Sequence, residues 1–427
     1  MDANPWFMGS DHLPSLTGGA RQRMLDNAAF LHDAQNRFYA KFAKAIREAG
    51  YKGPLCGSPW QAPAMVPHYY NLRSDALVGF IDRHNYFGDG LNGTMLTQPG
   101  SGYLGTGLQQ VSDRPFGISE WIHVYPDLYS AEGPAIMAAY GFGLQGWDES
   151  YEFQSSARAG FAKTVGSFAF GVWDADVPTQ LGQYPALARM IYRGDVKEGD
   201  IVSRRCVSLA ELQEGRLSFS DRIEQSGDIK KFGGDCPPAA LAAGRCVIDF
   251  VDKPVASTFP DMARFETNRV ITSTTRQLVW DHSGKGFFTV DTAGTKAVVG
   301  FAGGRSFALG NVTIALKCPY ASVFLTALDK ESTLAKARHA LVSAVARNAN
   351  SGFKVLAPDD SVLNNGAAPI MLEPVKATIA VKDREIATVY VLDHDGRRTE
   401  RTLPVTKGEF AIDGARDNAL YYEVVFR

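Results

Sequence analysis

Hydrophobic and polar residues alternate along this chain with two different periods, and the change of period divides it into regions. Over residues 21–49, Leu31, Phe38 and Phe42 recur at helical spacing opposite a polar face, and Gly50 follows. Residues three and four apart lie on one face of an α-helix, and glycine is favoured just after a helix end. The pattern predicts one long amphipathic helix over 21–49.

Four short apolar runs follow this helix, and each breaks into polar and aromatic residues at its carboxyl end. They are PLCGSPW, VGFIDRHNYFG, PFGISEWIHVYP and GFGLQGWDESYEF, with a stretch suited to a helix, SAEGPAIMAAYGFG, before the last run. Strands buried on both faces read as continuous apolar runs, and functional groups collect where their carboxyl ends meet the loops. The pattern predicts four parallel strands, with chemistry at Trp60, His84, Glu120 and Trp147.

From Ile201 onward the alternation has a period of two, in segments such as GFFTVDT, VTIALKC and ATIAVKD, which is typical of antiparallel sheet. One patch, STLAKARHALVSAVARNAN, has helical spacing instead. The predicted fold class is therefore α/β followed by all-β. We expect an α/β unit at 1–195, a β-sandwich-like accessory domain at 196–365 and a small Ig-like sandwich at 366–427.

Composition narrows the classes of function. The 427 residues are 45% hydrophobic and 21% charged, with a formal net charge of −2. These values are typical of a folded globular protein, they provide no attraction for nucleic acid, and no apolar run is long enough to span a bilayer. The N-terminus shows no signal-peptide pattern. Location stays open: a secreted or periplasmic protein after processing, otherwise a cytoplasmic one.

The sequence ISEW places Glu120 directly after a buried strand and before an aromatic residue. A carboxylate held at the end of a strand suits glycoside hydrolysis, in which two carboxyl groups flank the anomeric carbon and, in retaining enzymes, one attacks it. The competing interpretation is a glutamate that caps the next helix or pairs with an arginine. Glu120 is the candidate nucleophile.

Several other side chains are expected near Glu120. The Tyr86 hydroxyl could donate a hydrogen bond to the carboxylate, and His84 is either a partner of it or an ordinary core histidine. The candidate substrate-binding residues, any of which could instead serve packing, are Trp60, Trp121, His123, Tyr125, Trp147, Asp148 and Glu149.

The order HNY, SEW and QGWD on consecutive strand ends resembles strands six to eight of the clan-A glycoside hydrolases, which are retaining (β/α)₈ barrels. The resemblance implies that Glu120 is the nucleophile, that Tyr86 orients it, and that Trp147 is a sugar platform. It also implies a partial barrel, equivalent to strands five to eight, followed by antiparallel β-sandwich domains.

The sequence departs from that family in one respect that matters for chemistry. The family's acid/base glutamate usually follows an asparagine on strand four, and no Asn-Glu pair occurs here. Half a barrel would leave sheet edges exposed. Three arrangements could cover these edges: a partner chain, a homodimer, or the long helix together with the β region.

Two functions from different classes follow from these observations. The first is a retaining glycosidase acting on a poly- or oligosaccharide, and the second is a non-catalytic carbohydrate-binding protein derived from such an enzyme. A scaffold without sugar affinity is a third. No cofactor and no metal site are expected, because the histidines and five cysteines lack ligand spacing, although Asp-containing turns leave a structural calcium ion open.

Overall fold

The computed structural model of the chain describes residues 13, 15–62, 65–88, 90–155, 160–166, 172–226, 229–356 and 361–427. Most of its strands pair in antiparallel sheets. The first fifteen residues, which bear on the signal-peptide prediction, lie almost entirely outside the described residues.

Helices are concentrated in the first half of the described chain. The α-helices are α1 (Gly18–Glu48), α2 (Met65–Val78), α3 (Glu132–Ile136), α4 (Tyr184–Arg193), α5 (Leu209–Glu214), α6 (Ala240–Ala243) and α7 (Gly414–Asp417). A π-helix, Met137–Leu144, continues α3, and short 3-10 helices cover Met95–Thr97, Gly102–Gln109, Leu181–Gln183 and Met262–Arg264.

Strands occur throughout, and they dominate after residue 200. In chain order they are β1 (Ile81–His84), β2 (Phe116–Trp121), β3 (Glu149–Glu152), β4 (Ile201–Ser208), β5 (Asp221–Ser226), β6 (Ile229–Gly234), β7 (Arg245–Val251), β8 (Glu266–Thr267), β9 (Val270–Thr272), β10 (Leu278–Asp281), β11 (Phe287–Asp291), β12 (Thr295–Gly300), β13 (Ser306–Leu309), β14 (Val312–Leu316), β15 (Ala321–Ala327), β16 (His339–Val345), β17 (Asn348–Ser351), β18 (Lys354–Leu356), β19 (Ser361–Asn364), β20 (Ala367–Leu372), β21 (Lys376–Val381), β22 (Ile386–Leu392), β23 (Arg398–Leu403), β24 (Glu409–Asp413) and β25 (Tyr421–Phe426).

The long helix predicted over 21–49 is confirmed as α1. Its amino-terminal half packs on α2 and buries Leu25, Ala28 and His32. In the carboxyl-terminal half, Phe38 and Phe42 stay at the surface and are 56% and 51% exposed. Among the described residues, no helix has the length and apolar character needed to cross a membrane.

The predicted run of parallel strands is present in reduced form. Strands β1, β2 and β3 make a three-stranded parallel sheet, and a single parallel bridge joins Cys56 to Phe80 beside it. The helix predicted before the last strand is also present, as α3 and its π-helical continuation. That helix extends to Leu144, so β3 starts only at Glu149, after Trp147.

The predicted fold class, α/β with a partial (β/α)₈ barrel followed by all-β sandwich domains, is wrong: the described chain is a mixture of helices and mostly antiparallel sheets. The parallel sheet has three strands, and most of the remaining strands are antiparallel. A barrel needs a helix after each strand, but the described residues between β1 and β2 form 3-10 helices and no α-helix. That stretch contains Gly100, Gly102, Gly105 and Gly107, and glycine is a poor α-helix former.

Antiparallel sheet dominates the second half, as the period-two alternation predicted. Ten strands pair in the order β23-β22-β25-β16-β15-β12-β11-β10-β9-β8, and four more in the order β13-β14-β21-β24. Strands β4 and β7 pair in parallel and are an exception. Both larger sheets combine strands from before and after residue 366; the predicted boundaries of the three regions stay predictions.

The helical patch predicted near residues 332–350 is wrong, because this segment forms β16 and β17. Strand β16 lies inside the ten-stranded sheet, between β15 and β25, and the six residues that follow His339 in it are all buried. A strand covered on both faces is apolar without alternation, and periodicity alone does not distinguish such a run from a buried helix.

Candidate active site

The candidate site lies at the carboxyl end of the three-stranded parallel sheet. His84, the last residue of β1, pairs in register with Glu120 near the end of β2. An irregularity between Arg83 and His84 interrupts the regular register at this point. Irregularities of this kind re-aim side chains at the end of a strand. Together with the parallel strand direction, this irregularity brings two candidate side chains to one sheet edge.

The Glu120 carboxylate has hydrogen-bonding partners on one side and solvent on the other. The Tyr86 hydroxyl donates to Oε2 over 2.5 Å, and Nδ1 of His84 lies 3.4 Å from the same oxygen. The Glu120 side chain is 32% exposed. Hydrogen bonds to an ionised acceptor are about twice as strong as neutral ones. The carboxylate is therefore oriented by its neighbours and still accessible to a ligand.

His84 contacts two other strands, β2 and β6. Its Nε2 lies 2.8 Å from the Ser119 hydroxyl, and its backbone carbonyl accepts a hydrogen bond from the Lys230 ammonium over 2.7 Å. When Ser119 donates to Nε2, the Nδ1–H is left to point at Glu120. This arrangement fixes the ring beside the carboxylate.

Tyr86 is held by aromatic packing. It is 3% exposed, and its ring meets Phe153 edge-on at a centroid distance of 6.5 Å and lies 6.2 Å from Trp173. Phe153 and Trp173 also pack edge-to-face on each other, at 5.9 Å. Such pairs stabilise specific ring orientations. The hydroxyl that donates to Glu120 therefore belongs to a ring that the Phe153 and Trp173 rings hold in place.

Trp121 and His123 are buried away from Glu120, with Tyr103. The Trp121 indole N–H donates to the Ser150 hydroxyl over 2.6 Å, and Tyr103 contacts both the Trp121 ring and Nδ1 of His123. Both residues are 2% exposed. The structure does not bring these two candidates together with the nucleophile candidate.

His123 and Glu132 form a polar pair in the interior of the protein. Nε2 of His123 lies 3.3 Å from the Glu132 carboxyl, which also accepts from the Thr94 hydroxyl and the Met95 backbone N–H. Burial lowers the pKa of His123 to about 4 and raises the pKa of Glu132 to about 8. Both groups are thus neutral near pH 7, and the pair is a hydrogen-bonded one rather than an ion pair.

Trp147 and Asp148 have structural contacts. Trp147 is 3% exposed, lies two residues before β3, and packs on the Phe116 ring at 5.2 Å. The Asp148 carboxylate accepts the Phe116 backbone N–H over 2.9 Å. A tryptophan buried in this way has no exposed ring face on which a sugar could stack, so Trp147 is not among the residues that we propose to contact a substrate.

Glu149 lies on the same face of the parallel sheet as Glu120, but nearer the amino-terminal ends of the strands. It pairs in register with Gly117, which pairs with Asp82, two residues before His84. A Cβ on Gly117 would lie 2.7 Å from the Glu149 Cβ, so glycine permits this close approach. Burial, and then the nearby Asp82 carboxylate, raise the pKa of Glu149.

Trp60 and Tyr125 lie in loops. Trp60 is 41% exposed, and its backbone N–H donates to the Ser58 hydroxyl. The Tyr125 hydroxyl donates to the Asn365 side chain over 2.8 Å, far along the chain from the parallel sheet. The structure records no contact of either with Glu120.

Sequence reasoning missed Ser119, Phe153, Trp173 and Lys230 as neighbours of this site. Ser119 and Phe153 belong to motifs already singled out, so their positions next to a candidate carried a signal. Trp173 and Lys230 come from separate segments, and only the tertiary structure brings them to Tyr86 and His84.

Among the described residues, no group of three or more histidine, cysteine or acidic side chains is arranged to hold a metal ion. Comparison with known proteins adds no relative: no family model, no curated protein and no solved structure gives a significant match to this chain.

Proposed function

We propose that this chain is a retaining glycoside hydrolase in which Glu120 is the nucleophile. The observation that supports this most is the hydrogen bond from the Tyr86 hydroxyl to a glutamate that is still partly open to solvent. The donor holds one carboxylate oxygen in place and leaves the other oxygen for attack on an anomeric carbon.

In the proposed reaction, Glu120 attacks the anomeric carbon as an acid protonates the departing glycosidic oxygen. A covalent glycosyl-enzyme results, and water then releases the sugar with net retention of configuration. Tyr86 and His84 hold the carboxylate in place during both steps. Tyr86 acts as a positioning residue because its ring is locked between Phe153 and Trp173.

Glu149 is the candidate for the proton donor on this sheet face. Its raised pKa, caused mainly by burial, keeps a larger fraction of it protonated near neutral pH. Its backbone lies three residues below the level of Glu120, which is roughly 10 Å along a strand. Proton transfer at the glycosidic oxygen would therefore need its side chain to extend toward Glu120.

That spacing also favours a second candidate function, a carbohydrate-binding protein without turnover. Retaining enzymes hold their two carboxyl groups about 5–5.5 Å apart, and loss of positioned proton transfer costs about 10²–10⁴-fold in rate. Sugar binding without hydrolysis of aryl glycosides bearing good leaving groups would support this alternative.

The test is mechanism-based labelling of the full chain. A panel of activated 2-deoxy-2-fluoro aryl glycosides should label Glu120, which peptide mapping by mass spectrometry would identify. Glu120→Gln should abolish both turnover and labelling, whereas Glu198→Gln, at a side chain that is 59% exposed, should change neither. Circular dichroism of the variants checks that the fold is intact. Label on another residue, or turnover by Glu120→Gln close to the parent rate, would overturn the proposal.

A further inference from the structure

A row of apolar side chains lies at the surface on the carboxyl-terminal half of α1. Phe38, Phe42 and Ile46 follow one another at intervals of four residues, so they share one side of the helix. Both phenylalanines are more than half exposed, Ile46 is 38% exposed, and the two phenyl rings pack on each other with centroids 4.4 Å apart. Adjacent exposed apolar side chains, unlike scattered ones, are typical of an interaction surface. We call these three residues the apolar row.

A basic row runs beside the apolar row. It consists of Arg37, Lys41 and Lys44, which are three or four residues apart, and the side chains of Arg37 and Lys44 are 66% and 73% exposed. Lys41 comes three residues after Phe38 and is also exposed. Residues 33–52 include five basic and two acidic side chains, a local net charge of +3, whereas the whole chain carries −2. This surface therefore attracts an anionic partner.

The opposite side of α1 is already occupied by the body of the protein. Leu25, Ala28 and His32 are buried, and the helix packs on α2. In the carboxyl-terminal half, the Tyr39 hydroxyl donates to Asp75 of α2 over 3.3 Å. A partner can therefore contact one side of this helix and cannot surround it. A flat surface meets that condition, whereas a protein groove that encloses an amphipathic helix does not.

The charges argue against a second copy of the chain as the partner. A two-fold contact brings the same surface of both copies together. An antiparallel pair of α1 helices in contact through Phe38 and Phe42 would place the basic row of one copy beside the basic row of the other. Like charges across an interface oppose association. An anionic lipid surface attracts the same residues.

We propose that this side of α1 binds the surface of membranes that contain anionic lipids. The apolar row enters the boundary between headgroups and acyl chains, and the basic row contacts the lipid phosphates. A helix that lies in this boundary does not need the length that crossing a bilayer requires. The interaction goes beyond the proposed glycosidase activity and does not rest on it.

The experiment measures binding of the native full chain to lipid vesicles by sedimentation. One set of vesicles contains equal parts of phosphatidylcholine and phosphatidylglycerol, and the other contains phosphatidylcholine alone. We expect binding to the anionic vesicles in low salt and little binding to the neutral ones. Binding should weaken strongly in about 1 M salt, because the Debye length falls to about 3 Å.

Two double variants test the two rows separately. Phe38→Ser with Phe42→Ser should abolish binding, because it removes the two aromatic rings that enter the lipid. Lys41→Gln with Lys44→Gln should weaken binding by about 25-fold, since each basic residue near an anionic surface contributes a factor of about five. Circular dichroism checks that each variant is folded.

Matched controls use exposed side chains outside α1. Lys330→Gln with Lys336→Gln removes two exposed lysines, and Tyr192→Ser removes an aromatic side chain at a residue that is 88% exposed. Both controls should bind anionic vesicles as the wild type does. Weakening in the controls equal to that in the α1 variants would contradict a surface centred on α1.

Lysine acetylation of the wild-type protein locates the surface even if a variant fails to fold. Anionic vesicles should protect Lys41 and Lys44, whereas Lys330 should react at the same rate with and without them. Equal binding to both kinds of vesicle, no binding in low salt, or binding that survives the double phenylalanine change would overturn the proposal. A dimer in light scattering that this change dissociates, without vesicle binding, would assign the surface to a second copy instead. None of these readouts depends on glycosidase activity.

Discussion

Replacing Glu132 with glutamine should change how the stability of this protein depends on pH. Glu132 begins α3, is fully buried, and accepts hydrogen bonds from the Thr94 hydroxyl and the Met95 backbone N–H. Burial raises its pKa from 4.5 to about 8. The folded protein therefore keeps a proton at neutral pH that the unfolded chain releases. Glutamine has the same shape and cannot ionise.

The sign and size follow from this difference in pKa. Between pH 4.5 and about 8 the unfolded state binds fewer protons at this residue than the folded state, so stability falls as the pH rises. Each pH unit in that window lowers the free energy of unfolding by up to about 1.4 kcal/mol, for a total of roughly 4–5 kcal/mol by pH 8. Glu132→Gln removes this contribution.

The assay is urea unfolding followed by tryptophan fluorescence between about pH 5 and pH 9. The variant should gain stability relative to wild type steadily as the pH rises. Glu152, whose pKa burial also raises to about 8, remains in both proteins and cancels in the comparison. Glu198→Gln is the exposed control and should run parallel to wild type. A constant difference between Glu132→Gln and wild type at every pH would show that Glu132 is ionised in the folded state, against the reasoning.

Three further predictions concern the candidate site and the core. Tyr86→Phe should lower kcat/KM for an aryl glycoside by about 10- to 150-fold, because a hydrogen bond to a charged group contributes about 1.5–3 kcal/mol. An unchanged kcat/KM would show that Tyr86 has no part in the mechanism. Burial lowers the pKa of His68 from 6.5 to about 3, so below pH 6.5 the unfolded state binds a proton that the folded state does not, and the free energy of unfolding should fall as the pH drops. His68→Gln should reduce this loss of stability at acid pH in urea unfolding. Curves of stability against pH that run parallel for the variant and wild type would contradict the prediction. Asp75→Ala should lower the free energy of unfolding, measured in urea, by about 3–5 kcal/mol, because it leaves the fully buried Arg83 guanidinium without its carboxylate. The double change Asp75→Leu with Arg83→Met should lower it much less. Equal losses in the single and the double variant would refute this prediction.

The candidate site shows where local sequence is enough. Glu120, Tyr86 and His84 were singled out because each lies at or just beyond the end of an apolar run, and parallel neighbours bring such positions to one edge. The contact between Tyr86 and Glu120 needs only that two consecutive strands pair in parallel. The function built on it stays a proposal, because geometry at a carboxylate does not identify a reaction.

The errors arise where the same local pattern fits several tertiary settings. The apolar run around Leu341 is compatible with a buried helix or a central strand, and its neighbours β15 and β25 decide for the strand. Trp147 follows an apolar run that continues as helix rather than strand, so it lies before β3 and is enclosed against Phe116. The barrel was inferred from strand ends, which do not reveal what connects the strands.

The sequence by itself determined the long first helix, the parallel strands around residues 81–84 and 116–121, and the period-two segments of the second half, because each depends on which neighbours along the chain share a face. Only the tertiary structure decided that the strands of the second half assemble into sheets of ten and four, and that Trp173 packs against Tyr86. These contacts join segments that are distant in sequence or separated by turns, and their partners are set by burial in a shared core rather than by any local periodicity.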